Sequence, residues 1–202
     1  LNPLVKAAST TEAFVEGNLV AQNTSNGTDN IYQSTMSVSS GKWYCEYLVG
    51  DTNTMSGISN ADQTPGNYAT YYSNTSADFM FFNNNNGNKI IDGTASYYAD
   101  NGALVGQIVG IALDLDSGTK TIQWYINNSA QGSVDISGGC LTASGLVFSG
   151  LTYETDPERW NFGQDSSFAG TLTAQGNQDD NDVGDFYYEP PSGYLALCTD
   201  NL

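Results

Sequence analysis

Histidine is absent from this 202-residue chain. With it go the commonest general base, the commonest metal ligand and the side chain that titrates near neutrality. Basic residues are scarce as well: 5 Lys and Arg stand against 22 Asp and Glu, a net charge of −17. A nucleic-acid binder needs cations to displace counterions from phosphate, and adhesion to an anionic membrane needs them too. Neither nucleic acid nor membrane is an expected partner. No apolar run approaches the roughly 18 residues of a membrane-spanning helix, and no basic segment leads into an apolar one as in a signal peptide. Opening at Leu1 rather than Met, the sequence is expected to be a segment of a longer chain or the remainder after an upstream part is removed. Cys45, Cys140 and Cys198 are far apart with no C-x-x-C pair. That spacing argues against zinc and allows at most one internal disulfide, and buried free thiols fit the apolar surroundings better.

Apolar residues make up 39% and aromatics 12% of the chain, enough for a packed core despite the charge. The length suits one all-β domain spanning residues 1–202. An acidic, lysine-poor surface favours solubility in salty surroundings, where screening relieves self-repulsion.

The clearest local pattern runs from Ile108 to Asn128, IVGIALDLDSGTKTIQWYINN. Ile111, Leu113 and Leu115 alternate with Ala112, Asp114 and Asp116. After a Gly-containing turn, Ile122, Trp124 and Ile126 alternate with Thr121, Gln123 and Tyr125. Period-two alternation on both sides of a turn predicts a β-hairpin with one apolar face and a buried Trp124. Further strands are expected over residues 42–49, 79–82, 89–91, 133–136 and 145–151, with an edge strand over 31–38. The run Asn83-Asn84-Asn85-Asn86-Gly87-Asn88 reads as a turn, because Asn and Gly tolerate left-handed backbone. Residues 152–159 are polar and residues 166–185 read as a long loop. With no helix and no repeat, the pattern is one all-β sandwich.

Four stretches then resemble the SPRY family, in the right order. Gly41-Lys42-Trp43-Tyr44-Cys45-Glu46 is similar to its aromatic-Glu strand. Val109–Asp114 with Thr121–Asn128 resembles its following strand pair, with Asn127-Asn128 where Asn-Gly is usual. Trp160-Asn161-Phe162-Gly163-Gln164 resembles its late Asn-Phe-Gly motif. The closing Pro190-Pro191-Ser192-Gly193-Tyr194-Leu195-Ala196-Leu197-Cys198 is similar to the ends of SPRY-like domains in structural proteins of bacteriophages. The resemblance implies a concanavalin-A-like jelly roll of two antiparallel sheets, with recognition loops gathered at one end. It also implies no cofactor and no catalysis, and a place on a virion as a tail fibre, head fibre or other appendage. The insertion at 171–185 departs from cellular SPRY domains, so no peptide-binding residues carry over.

Three constellations could hold chemistry. Glu154-Thr155-Asp156-Pro157-Glu158 resembles the E-x-D-x-E signature of laminarinase-type glycoside hydrolases. On a strand such carboxylates share a face at roughly 6.6–6.8 Å, and retaining hydrolysis needs a pair about 5–5.5 Å apart. Pro157, unable to donate to a ladder, marks the stretch instead as edge or solvated loop. Asp179-Asp180-Asn181-Asp182 with Gly184-Asp185 could gather oxygen ligands for calcium. Val183 breaks the EF-hand pattern, and a solvated acidic loop with no metal is expected. Asp114 and Asp116 read as outward strand-end carboxylates. Recognition is expected in the loops of residues 60–100 and 171–185, with Tyr68, Tyr71, Tyr72, Asn84, Asn85, Tyr97 and Tyr98 as ligand-binding candidates, since aromatic faces beside amides suit sugars or proteins. The expected function is a non-enzymatic virion module attaching to a host-surface glycan or protein. Neighbouring virion proteins and further copies of itself would be its partners. Purely structural decoration is the alternative, and a hydrolase using Glu154, Asp156 and Glu158 the more distant one.

Overall fold

The computed structural model describes residues 1–5, 12–62, 79–99, 104–138 and 145–202. Tyr68, Tyr71, Tyr72 and Cys140 lie outside the described residues. In chain order the strands are β1 (Glu12–Val15), β2 (Val20–Asn23), β3 (Asn30–Gln33), β4 (Lys42–Leu48), β5 (Met55–Asn60), β6 (Phe79–Asn83) and β7 (Asn88–Ile91). They continue as β8 (Thr94–Tyr97), β9 (Ile108–Asp114), β10 (Thr121–Ile126), β11 (Ser129–Asp135), β12 (Leu146–Thr152), β13 (Glu158–Asn161) and β14 (Leu195–Ala196). The larger sheet has the order β1-β2-β13-β4-β9-β10-β11, and the smaller β3-β12-β5-β6-β7-β8. The all-β jelly-roll sandwich expected from the sequence is the observed architecture. Among the described residues no helix is long and apolar enough to cross a membrane.

Period-two alternation builds the layer between the sheets. Trp43, Cys45 and Tyr47 of β4, Val109, Ile111 and Leu113 of β9, and Ile122 and Trp124 of β10 meet Tyr32, Ile58, Phe82 and Phe148 from the smaller sheet. The expected hairpin is present: Leu113 pairs Ile122 and Ile111 pairs Trp124. Trp124 is fully buried, and its Nε1 donates to the Ser56 carbonyl across the sandwich at 3.1 Å. Trp160 Nε1 likewise donates to the Tyr32 hydroxyl at 2.8 Å, so these indoles sit in the core with their polar atoms satisfied. Asn127 and Asn128 form the two-residue turn between β10 and β11, both with positive φ (46° and 67°). A tight hairpin turn of this kind demands that backbone, which is why Asn can stand where Asn-Gly is usual.

β9 is buried along its whole length, outer face included. Covering it is a C-terminal strap, residues 162–202. Phe186 and Ala196 pack on Tyr44 and Ala112, and Phe168, Leu172, Tyr187 and Tyr188 pack on Leu48 and Ile108. β13 pairs only the upper half of β4, Glu46 to Leu48, and β14 continues along the same edge beside Trp43 and Tyr44. The expected edge strand at 31–38 shortens to β3, which does lie at a sheet edge. Cys45 is buried and Cys198 half-buried, both free thiols.

Candidate functional site

The antiparallel order sends the β2–β3, β4–β5, β6–β7 and β12–β13 connections to one end of the sandwich. The first three are shaped by short polar side chains bonding to nearby backbone, which is what Asn, Asp and Thr do well in turns. In the β4–β5 turn, Asp51 Oδ1 accepts from the Asn53 N–H at 3.3 Å and the Thr54 hydroxyl donates to the Asp51 carbonyl at 3.0 Å. Across the β6–β7 turn, Asn83 Oδ1 accepts from the Asn85 N–H and Asn86 Oδ1 from the Asn88 N–H. The β2–β3 loop is tied to β12–β13 by Gly27 N–H donating to the Tyr153 carbonyl at 3.1 Å.

Between these turns opens a cleft of about 280 Å³ lined by Asp29, Asn53, Met55, Asn83, Leu151 and Tyr153. Met55 and Leu151 are buried and belong to an apolar cluster on the outer face of the smaller sheet. Asp29, Asn53, Asn83 and Tyr153 are half-exposed. Asn53 is held in place: its Oδ1 accepts from Asn85 Nδ2 at 3.2 Å, and its Nδ2 donates to Glu154 Oε1 at 3.5 Å. Burial pushes the Asp29 carboxyl above its ordinary value. No Lys or Arg is among the described lining residues.

The structure revises several sequence expectations. Asn85 belongs at this cleft, through Asn53. Asn84 does not: it is fully buried, with Nδ2 donating to Thr54 Oγ1 at 2.9 Å, so it supports the turn from below. Tyr97 is exposed on edge strand β8. Tyr98 is a half-buried strut. Its ring packs against Phe82 and Trp124, and its hydroxyl donates to the Gly132 carbonyl and accepts from the Trp124 N–H. That acceptor fills the irregularity where the β10–β11 register shifts. Burial drives the Tyr98 hydroxyl up to about 12, against the pull of the Trp124 N–H.

The carboxylates at 154, 156 and 158 do not form a strand-borne catalytic set, nor is all of 154–158 a solvated loop. Asp156 is exposed and Glu154 half-exposed, whereas Glu158 begins β13 and is fully buried. Glu158 Oε2 and Oε1 accept from the N–H groups of Gly50 and Asp51, both at 3.1 Å. Burial raises its carboxyl to about 8, the Asp51 charge adding to the rise while the neighbouring Tyr47 hydroxyl and the two N–H groups pull it back.

The 179–185 loop is only partly solvated, because its acids bond internally. Asp179 is buried and accepts from the N–H groups of Asn181, Val183 and Ala196 and from Asn201 Nδ2. Burial alone would raise its carboxyl, but those donors outweigh it and hold it below the usual range. Asp180 accepts from Gly193 N–H and the Ser192 hydroxyl. Among the described residues, no three His, Cys, Asp or Glu side chains gather to hold a metal. Asp114 is also buried rather than outward. It pairs with Lys42 at 2.9 Å and accepts from Ser117 and the Asp116 N–H. Its burial is overcome by these contacts, which bring its carboxyl down to about 2.

Sequence reasoning missed the cleft residues other than the Asn run. Their common signal is topological: each sits at a strand end or within two residues of one, and only the strand order brings those ends together. It also missed that Glu46 and Asn161 are structural clamps. Glu46 accepts from the Tyr187 N–H at 2.8 Å, the Tyr188 N–H at 2.7 Å and Asn161 Nδ2 at 3.1 Å.

No family model matches the sequence, and no curated protein does. Solved structures do match. The SPRY domain of human HERC1 is similar with a TM-score of 0.58 and 16% identity, over 79% of this chain and 93% of that one. A human SPRY domain matches with a TM-score of 0.56 and 14% identity, over 75% and 94%. The TRIM65 PSpry domain matches with a TM-score of 0.57 and 15% identity, over 79% and 89%. At such identities the likeness speaks for architecture: the chain folds as a SPRY-like, concanavalin-A-like β-sandwich.

Proposed function

We propose that this chain is a non-catalytic recognition module, displayed on a phage particle and attaching it to a host surface through the loop-end cleft. The observation that carries the reading is the cleft itself: a concave patch with an apolar floor and a few fixed polar groups, the usual form of a binding site. The motif residues support a scaffold role for the rest. Glu46 and Asn161 bond to each other and to the strap, and Glu158 is occupied by backbone N–H groups, so none of them is poised for hydrolysis. The phage setting rests on the similarity of residues 190–198 to the ends of phage structural domains.

Adsorption of the labelled chain to a panel of bacterial strains, alongside immunogold labelling of virions with an antibody to the chain, tests this. Adsorption to at least one strain together with labelled particles is the expected result. Labelled particles with no adsorption to any strain would replace attachment by decoration. Unlabelled particles would remove the phage setting.

A further inference from the structure

We infer that the loop-end cleft is a subsite for one uncharged sugar residue of a glycan, gripped by Asp29, Asn53, Asn83 and Tyr153 over Met55 and Leu151. This names the ligand class for the recognition reading above and rests on it.

Size is the first ground. A cleft of about 280 Å³ lies at the lower bound of ligand pockets, roughly 300–1,000 Å³, and so admits a single compact group. Polarity is the second. A pyranose has apolar C–H faces and a rim of hydroxyls, each able to donate and accept. Tyr153, Met55 and Leu151 supply apolar surface, and the polar groups supply both hydrogen-bond senses. Asn53 Oδ1 and Asn83 Oδ1 already accept from Asn85, so Asn83 presents its NH2 group as a donor and Asn53 the one N–H not taken by Glu154. Asp29 is the acceptor, and among the described residues nothing bonds to its carboxylate. Two donors beside one acceptor suit vicinal hydroxyls. An ammonium group, which only donates, would find one acceptor and two competing donors.

Charge and order complete the case. With no cation among the described lining residues and Glu154 bonded to Asn53, an anionic sugar would meet two carboxylates and no described counter-charge, which disfavours it. Because Asn53, Asn83 and the Tyr153 backbone are held before any ligand arrives, little side-chain entropy is lost on binding.

The test titrates the isotope-labelled chain with the methyl glycosides of glucose, galactose, mannose and N-acetylglucosamine, and with glucuronate. Amide shifts are followed by NMR, and adsorption to cells is measured alongside. At least one neutral glycoside should shift the amides of Asn53, Asn83 and Tyr153, and glucuronate should not. Tyr153→Ala and Asn83→Ala should each weaken binding about tenfold or more, the loss of one good contact. The near-isosteric Asp29→Asn, which leaves the fold untouched, should weaken it as well. Cleft amides indifferent to every neutral glycoside, tighter binding of glucuronate, or affinity unchanged by all three substitutions would overturn the sugar subsite. Adsorption that survives Tyr153→Ala and periodate oxidation of the cells, but not their proteolysis, would overturn it while leaving attachment standing. Sugar binding in a chain that adsorbs to no cell would instead overturn attachment and leave the subsite.

Discussion

Glu46 on β4 and Asn161 at the end of β13 meet side chain to side chain, Asn161 Nδ2 donating to Glu46 Oε2 at 3.1 Å. The same carboxylate receives the backbone of Tyr187 and Tyr188, and the same amide donates to the Asp185 carbonyl at 2.8 Å while its oxygen caps the N–H groups of Gly163, Gln164 and Asp165. Two motif residues far apart in the chain therefore anchor the strap to the larger sheet. Both Glu46→Gln and Asn161→Ala leave buried donors without partners, at a cost of about 2–4 kcal/mol each. Urea unfolding should show this as a lower midpoint, and chymotrypsin should cut sooner at Tyr187 and Tyr188. An unchanged midpoint would mean the strap is held by its apolar contacts alone.

Stability should be greatest in mild acid. Burial holds Glu46 at about 7, against the pull of the Tyr188 and Tyr187 N–H groups and Asn161, and Glu158 at about 8, against an ordinary value of 4.5 for each. The folded state therefore keeps protons that the unfolded chain releases. Their contribution is complete below 4.5 and is lost as the pH rises through 7 and 8, on the order of a few kcal/mol in total. Asp114, held at about 2, acts in the opposite sense and loses its contribution as the pH falls from 3.8 toward 2. Melting temperature against pH should fall from pH 5 to pH 8 by several degrees, roughly 2–4 °C per kcal/mol for a chain of this size. Glu158→Gln should flatten that limb. A melting temperature that rises over the interval would contradict this account.

Tyr98→Phe removes a hydroxyl that links the end of β8 to β10 and β11. The loss should be about 1–2 kcal/mol, because the Trp124 N–H and the Gly132 carbonyl each lose a partner. Cell adsorption and sugar binding should be unaffected. A selective loss of binding at unchanged stability would return Tyr98 to the ligand site.

Gly50→Ala should be among the most damaging single changes in the chain. A Cβ at this position would run into the Pro157 carbonyl, and the same residue's N–H serves Glu158. The β4–β5 turn would have to separate from β13, at about 3 kcal/mol or more. Loss of soluble yield, or a sharply lowered urea midpoint, is the expected readout. A neutral effect would show that the approach can relax.

The hairpin of β9 and β10 was legible because period-two alternation is a local property: Ile111, Leu113, Ile122 and Trp124 announce their face through their neighbours. The four SPRY-like stretches likewise pointed to the sandwich. What could not be read is whatever depends on partners distant in sequence. Ala112 and Asp114 alternate as an outward face should, yet the strap covers Ala112 and Asp114 is taken up by Lys42 and Ser117. Glu158 sits beside Pro157 in polar surroundings and reads as loop, although Gly50 and Asp51, from the other side of the chain, make it a buried strand residue. Asn84 and Asn85 are neighbours of one composition, and the turn geometry alone sends one under the cleft and the other to its side.

The strand order also governs when the molecule can become whole. β1 and β2 pair with each other locally, but β2 has its other neighbour in β13, which follows it far downstream in the chain. Until β13 is made the first hairpin has no second partner, and the edge it shows to β13 is open to wrong pairing. Closure of the larger sheet is thus a late, long-range event, of the kind that makes all-β domains slow to fold. The nascent chain is most exposed to aggregation just before β13 appears.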